Sequence, residues 1–217
     1  MKREEFLKVL DILEKNILKN APSNILKNSH KRTPYTILIA TLLSLRTKDE
    51  ITARVCRELF KIANTPKEII KIPLKRLEEI VKPTGMYRKK AKTIIDVSKI
   101  LIEKFNSEVP NTKKELLSIK GVGDKTANIV LNSAFGIPLI AVDTHVHRIP
   151  NLLGFIDTKT PKETEIELHK RVPKEYWHKL NHIIVSFGQT ICTPRNPKCG
   201  SCAIREFCKK EEVVERK

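Results

Sequence analysis

Residues 115–135 read ELLSIKGVGDKTANIVLNSAF. The pattern is helix, glycine-bearing hairpin, basic residue, helix. Gly121 and Gly123 allow positive φ angles and let a ligand approach the backbone closely. The second helix is expected to start near Asp124, with its first amides unpaired and directed outward. Together these groups suit a phosphate; a purely structural tight turn is the alternative. Lys125 falls in the first turn of that helix. The positive helix end and any burial disfavour an ammonium there and favour a neutral amine able to attack carbon. A plain phosphate-binding lysine would look the same.

Outward from this hairpin, nearly every segment reads as helix. A loosely similar unit, LEEIVKPTGMYRKKAKTIIDVSKIL, occupies residues 77–101. Phe6, Leu10, Leu13 and Ile17 share one helical face. PYTILIATLLSL (34–45) is apolar all round and predicts a buried central helix opened by proline. Asp49 reads as the cap of a helix facing Ile51, Val55 and Leu59 inward. TPKE occurs at 65–68 and 160–163, each a capping box, and residues 112–115 form another. Pro73 opens a helix that Pro83 must close. No hairpin signal of the strand type is present, so the fold class is all-α. The tail KKEEVVERK (209–217) reads as charged and frayed.

The 217 residues carry a formal net charge of +17, and 31% are charged. Such a field favours a polyanionic partner, nucleic acid before membrane. Thermal adaptation would also enrich lysine, and glutamine is nearly absent. No apolar run reaches the ~20 residues of a membrane span, and residues 1–15 resemble no targeting signal. The expected setting is intracellular, with DNA in the cytoplasm or nucleoid of a thermophilic prokaryote. No membrane is involved, and the expected state is a monomer.

In AVDTHVHRIP (141–150), Val142 should be buried and Asp143 should cap the helix that follows. A capping aspartate is common; a functional one would be pinned by the same bonds. His145, His147 and Arg148 add donors nearby. Pro150 should lie inside that helix and remove a hydrogen bond, so that the helix ends early or kinks. Cys192, Cys199, Cys202 and Cys208 are spaced C-x6-C-x2-C-x5-C. Four thiolates at this spacing suit an iron–sulfur cluster or a structural zinc, and the presence of only one Cys-x-x-Cys pair favours iron–sulfur. Arg195 and Lys198 sit inside the first cysteine loop, while Cys56 reads as a core residue.

Taken together, LLSLRTKDE, TGMYRKKA, IKGVGDKTANIVLNSAF, VDTHVHR and the cysteine spacing resemble the endonuclease III family of helix–hairpin–helix DNA glycosylases, from residue 34 to 208. The resemblance implies a six-helix domain over residues 28–137 carrying the hairpin. It implies a second, discontinuous helical domain, 1–27 with 138–217, carrying a [4Fe-4S] cluster on the four cysteines. DNA would bind across the cleft between them, with Lys125 and Asp143 at its mouth.

The implied activity is excision of oxidised pyrimidines from duplex DNA by lysine Schiff-base chemistry, with β-elimination at the abasic site. Lys125 would be the nucleophile and Asp143 would assist it or the sugar cation. Met86 matches the apolar wedge. Arg46 stands where many members place a glutamine that fills the vacated gap, and Leu152 where a basic residue is common. Gly121, Gly123, His145, Arg195 and Lys198 would contact DNA. The rival readings are a monofunctional mismatch or adenine glycosylase, against which Lys125 argues, and a non-catalytic DNA-binding protein.

Overall fold

A computed structural model describes residues 1–16 and 21–208; Ile17 and the tail 209–217 lie outside them. The described residues form helices and no strand: α1 (Arg3–Lys15), α2 (Pro22–Lys27), α3 (Pro34–Ser44), α4 (Asp49–Ile62), α5 (Pro66–Ile69), α6 (Leu74–Val81), α7 (Tyr87–Lys104), α8 (Lys113–Ser118), α9 (Asp124–Phe135), α10 (Thr144–Leu152), α11 (Pro161–Arg171) and α12 (Lys174–Thr190). Short 3₁₀ turns cover Lys82–Thr84, Cys199–Ser201 and Arg205–Phe207. The chain divides into two compact units, Asn24–Ile137 and Met1–Ser23 with Pro138–Lys217.

The continuous unit is built around α3. Every residue from Tyr35 to Leu43 is buried, as an all-round apolar helix requires. Thr33 caps it, accepting from the Thr36 amide, and Pro34 takes the first helical position, where a missing N–H costs nothing. α3 packs on α4, α7 and α9. The Tyr35 hydroxyl meets the Ser98 hydroxyl of α7 at 2.6 Å, which satisfies two polar groups inside the core. α7 puts Ala91, Ile94, Val97 and Leu101 inward, and α5 and α6 pack against it.

In the discontinuous unit, Phe6, Val9, Leu10 and Leu13 of α1 share one core with residues of α10, α11 and α12. Phe6 stacks on Phe155 with ring centroids 3.9 Å apart. Ile204 is buried in this core, and Cys192, Cys202, Phe207 and Cys208 pack on it. The cysteine loop is therefore anchored on apolar contacts as well as on whatever its thiols hold.

Three local expectations need correction. Asp49 is the first helical residue rather than the cap, because Lys48 holds the extended capping conformation. α10 does not end early: it runs to Leu152 with Pro150 inside, the place expected for the proline. The turn closes because the Leu153 amide donates to the Ile149 carbonyl at 2.9 Å and the Phe155 amide to the Pro150 carbonyl at 3.0 Å. At 160–163, Thr160 accepts from the Glu163 amide, but the Glu163 carboxylate reaches past it to the Lys159 amide at 2.8 Å. The box at Thr65 and Glu68 is complete.

Candidate active site and cysteine loop

The hairpin joins α8 to α9. Thr112 caps α8 by accepting from the Glu115 amide, and Lys113 pairs with Asp124 at 3.1 Å across the turn. Gly121 has φ +101°, and a Cβ there would lie 2.8 Å from Thr93 Cγ2 of α7. Glycine is therefore demanded twice, by conformation and by contact. Gly123 differs from the expectation. It caps α9 with φ −101°, open to any residue, and a Cβ there would meet nothing within 4 Å. It makes no side-chain cap hydrogen bond to α9, and the space beside it is open. Lys125 follows as the second residue of α9 and is half-buried.

Two loops of the same unit carry the other predicted contacts. Arg46, exposed, follows α3 with φ 57°. Met86 precedes α7 with φ 46° and is 50% exposed. Both are non-glycine residues in the left-handed region, a cost of order 1–3 kcal/mol each. The loops are joined underneath: the Thr47 hydroxyl donates to the Thr84 carbonyl at 2.7 Å, and Lys90 binds both. Lys90 was not singled out in the sequence. The available signal was its place on the inward stripe of α7, four residues before Ile94.

In the other unit, Asp143 caps α10. One of its carboxylate oxygens accepts from the His145 and Val146 amides, each at 2.9 Å, and Val142 before it is buried. The capping duty ties down the side chain at the start of α10. His145 lies tight against α12, where a Cβ on Gly188 would approach its Nδ1 to 2.3 Å. Gly188 is thus the residue that admits the imidazole, a role with no motif to announce it. His147 faces away to Thr164 at 2.7 Å.

None of the four cysteines of the loop is in a disulfide, and each is half-buried. Arg148, placed by α10, reaches across to Cys192, with its guanidinium 3.5 Å from Sγ. Cys202 feels the other three: burial pushes its thiol up, and Cys192, Cys208 and Cys199 add to the shift. Four thiols on one loop, partly buried against an apolar core, are a donor set that would hold an iron–sulfur group. Among the described residues no group of three or more such side chains is gathered as a site for a metal ion. Arg195 and Lys198 are exposed between the first two cysteines.

Residues 39–174 match the model of the HhH-GPD superfamily base excision DNA repair protein, and residues 192–208 match the iron-sulfur binding domain of endonuclease III. Hairpin, capped aspartate and cysteine loop thus define a helix–hairpin–helix base-excision repair protein. Endonuclease III of Thermotoga maritima is 45% identical over 201 residues, 92% of each chain. That of Escherichia coli K12 is 39% identical over 183 residues, 84% of this chain and 87% of the relative. A non-covalent endonuclease III–DNA complex superposes with a TM-score of 0.88 at 36% identity, and a trapped endonuclease III–DNA covalent intermediate with 0.87 at 35%; each match covers 100% of both chains. The chain belongs to the endonuclease III family. It is a base-excision repair enzyme, a DNA glycosylase and abasic-site lyase with a [4Fe-4S] cluster, and its partner is DNA. Among the described residues no helix is long and apolar enough to cross a membrane.

Proposed function

We propose that this enzyme excises oxidised pyrimidines from duplex DNA as a monomer, with Lys125 as nucleophile and Asp143 as its charged assistant. One observation carries the reading: a half-buried lysine in the first turn of α9, two residues after a glycine cap with open space around its Cα. The flipped nucleotide's sugar is attacked at its anomeric carbon by the Lys125 Nζ. The glycosidic bond breaks, and the base leaves with the electron pair and takes up a proton. The ring opens to a Schiff base on Nζ. Loss of a proton from the 2′ carbon expels the 3′ phosphate, and hydrolysis then frees the lysine. Asp143 supplies negative charge to the sugar cation or accepts the ammonium's proton.

The hairpin amides at Gly121 and Gly123, with Arg195, Lys198 and His145, hold DNA phosphates. Arg46 fills the gap that the flipped nucleotide leaves, and Met86 wedges into the stack from the side of the orphaned base. The four cysteines would ligate the cluster, whose contribution is to cross-link the loop that presents Arg195 and Lys198. A trapped covalent intermediate is what the superposed relative is described as, and the same chemistry here needs an amine at position 125. A monofunctional glycosylase has no use for that amine.

The test is borohydride trapping on abasic DNA with Lys125→Gln and Asp143→Asn. The first should abolish the adduct while DNA binding survives. The second keeps the cap, since asparagine caps about as well as aspartate. It should slow base excision by roughly 10²–10⁴-fold and trapping on abasic DNA by less. An adduct at wild-type yield from Lys125→Gln would end the lysine assignment. A panel of damaged bases in duplex DNA decides the substrate class.

A further inference from the structure

Lys90 is 7% exposed, and each of its donors is used. The ammonium donates to the Leu43 carbonyl at 2.8 Å, the Thr47 hydroxyl at 2.6 Å and the Thr84 carbonyl at 2.9 Å. An ammonium has three donors and no acceptor, so the set is complete. All three partners are neutral oxygens. Burying a charge against neutral oxygens costs more than burying an apolar chain of the same length, and that burial lowers the amine to about 8. The lysine therefore gives up stability that a methionine would keep. What it supplies is direction: Thr47 adjoins Arg46, Thr84 lies two residues before Met86, and Leu43 ends the buried run of α3. Arg46 and Met86, which flank the groups it binds, both have left-handed backbone.

We propose that Lys90 is a positioning residue for base flipping, tying the Arg46 and Met86 loops into one rigid two-pronged wedge. The inference rests on the reading that Arg46 and Met86 enter the DNA stack. A wedge must resist the force of the base stack pressing back. Two separately mobile prongs would dissipate that force in loop motion. With one buried ammonium fastening both, displacement of either prong must break bonds to the other. The energy of unstacking then stays in the DNA.

The full-length enzyme tests this with an abasic site in duplex DNA, 2-aminopurine beside it, and the same site in single-stranded DNA. In Lys90→Met the fluorescence rise and duplex cleavage should slow by roughly tenfold or more, with single-stranded cleavage within about twofold of wild type. In an Arg46→Ala, Met86→Ala background the same change should cost less than about twofold, because the clamp would have nothing left to hold. Thr47→Val should reproduce part of the defect and Thr47→Ser should restore it, and this pair carries the test if Lys90→Met fails to fold. An equal Lys90→Met penalty in both backgrounds, or equal loss on single strands, overturns the clamp. A double alanine variant that opens duplex DNA at the wild-type rate refutes the wedge itself.

Discussion

Lys90 has a second, thermodynamic signature. Burial takes its ammonium from 10.5 down to about 8. Between those values the unfolded chain holds a proton that the folded chain has lost, so this group's contribution to stability rises with pH across the window. Denaturant unfolding of wild type and Lys90→Met should show it: wild type gains on the variant as pH climbs from about 8 to 10.5. A gap that stays constant would mean the amine is solvated in the folded protein. At this scale the sequence is uneven. Asp143 as a cap was legible because its partners are the amides two and three residues ahead. Lys90 and Gly188 were not, because each is defined by a contact far away in the chain: 47 residues for Lys90 and Leu43, and α10 against α12 for Gly188 and His145.

At the hairpin, two glycines two residues apart separate folding from binding. Gly121→Ala meets both a positive φ and the Thr93 methyl, and should destabilise the fold by more than about 1 kcal/mol. Gly123→Ala meets neither and should leave the melting temperature nearly unchanged. On the proposed phosphate contact it would still place a methyl beside the hairpin amides, so affinity for duplex DNA should drop. Calorimetry and a binding isotherm on both variants check the pair; a destabilised Gly123→Ala with intact affinity would make that glycine structural. The helices themselves were readable wherever the signal is local, as at Thr33–Pro34 and Thr65–Glu68. Where boundaries shifted, a neighbouring backbone decided. Asp49 sits one residue inside α4 because Lys48 takes the extended turn. α10 runs through Pro150, and past it the carbonyls of Ile149 and Pro150 accept from amides beyond the helix.

The whole molecule carries a formal net charge of +17, and its DNA binding should weaken steeply with salt, with a log–log slope of about −0.9 per phosphate neutralised. Lys198→Ala should lower that slope by about one phosphate on damaged and undamaged duplexes alike; a loss confined to damaged DNA would make Lys198 a lesion contact. The purified protein should be yellow-brown from thiolate- and sulfide-to-iron charge transfer. Cys202→Ser should bleach it and Cys56→Ser, buried in the other unit, should not. All-α character was legible from composition and spacing. The pairing of α1 with residues beyond 138 was readable only through resemblance, since no local pattern reports which distant helix an amphipathic face will meet. That pairing has a consequence during synthesis. At ~5–20 residues per second, α1 is made on the order of ten seconds before Phe155 and the rest of its core. Residues 24–137 can by then have collapsed on their own. A helix made before this unit must wait for partners made after it, and until then its apolar face is a site for chaperones and a hazard for aggregation.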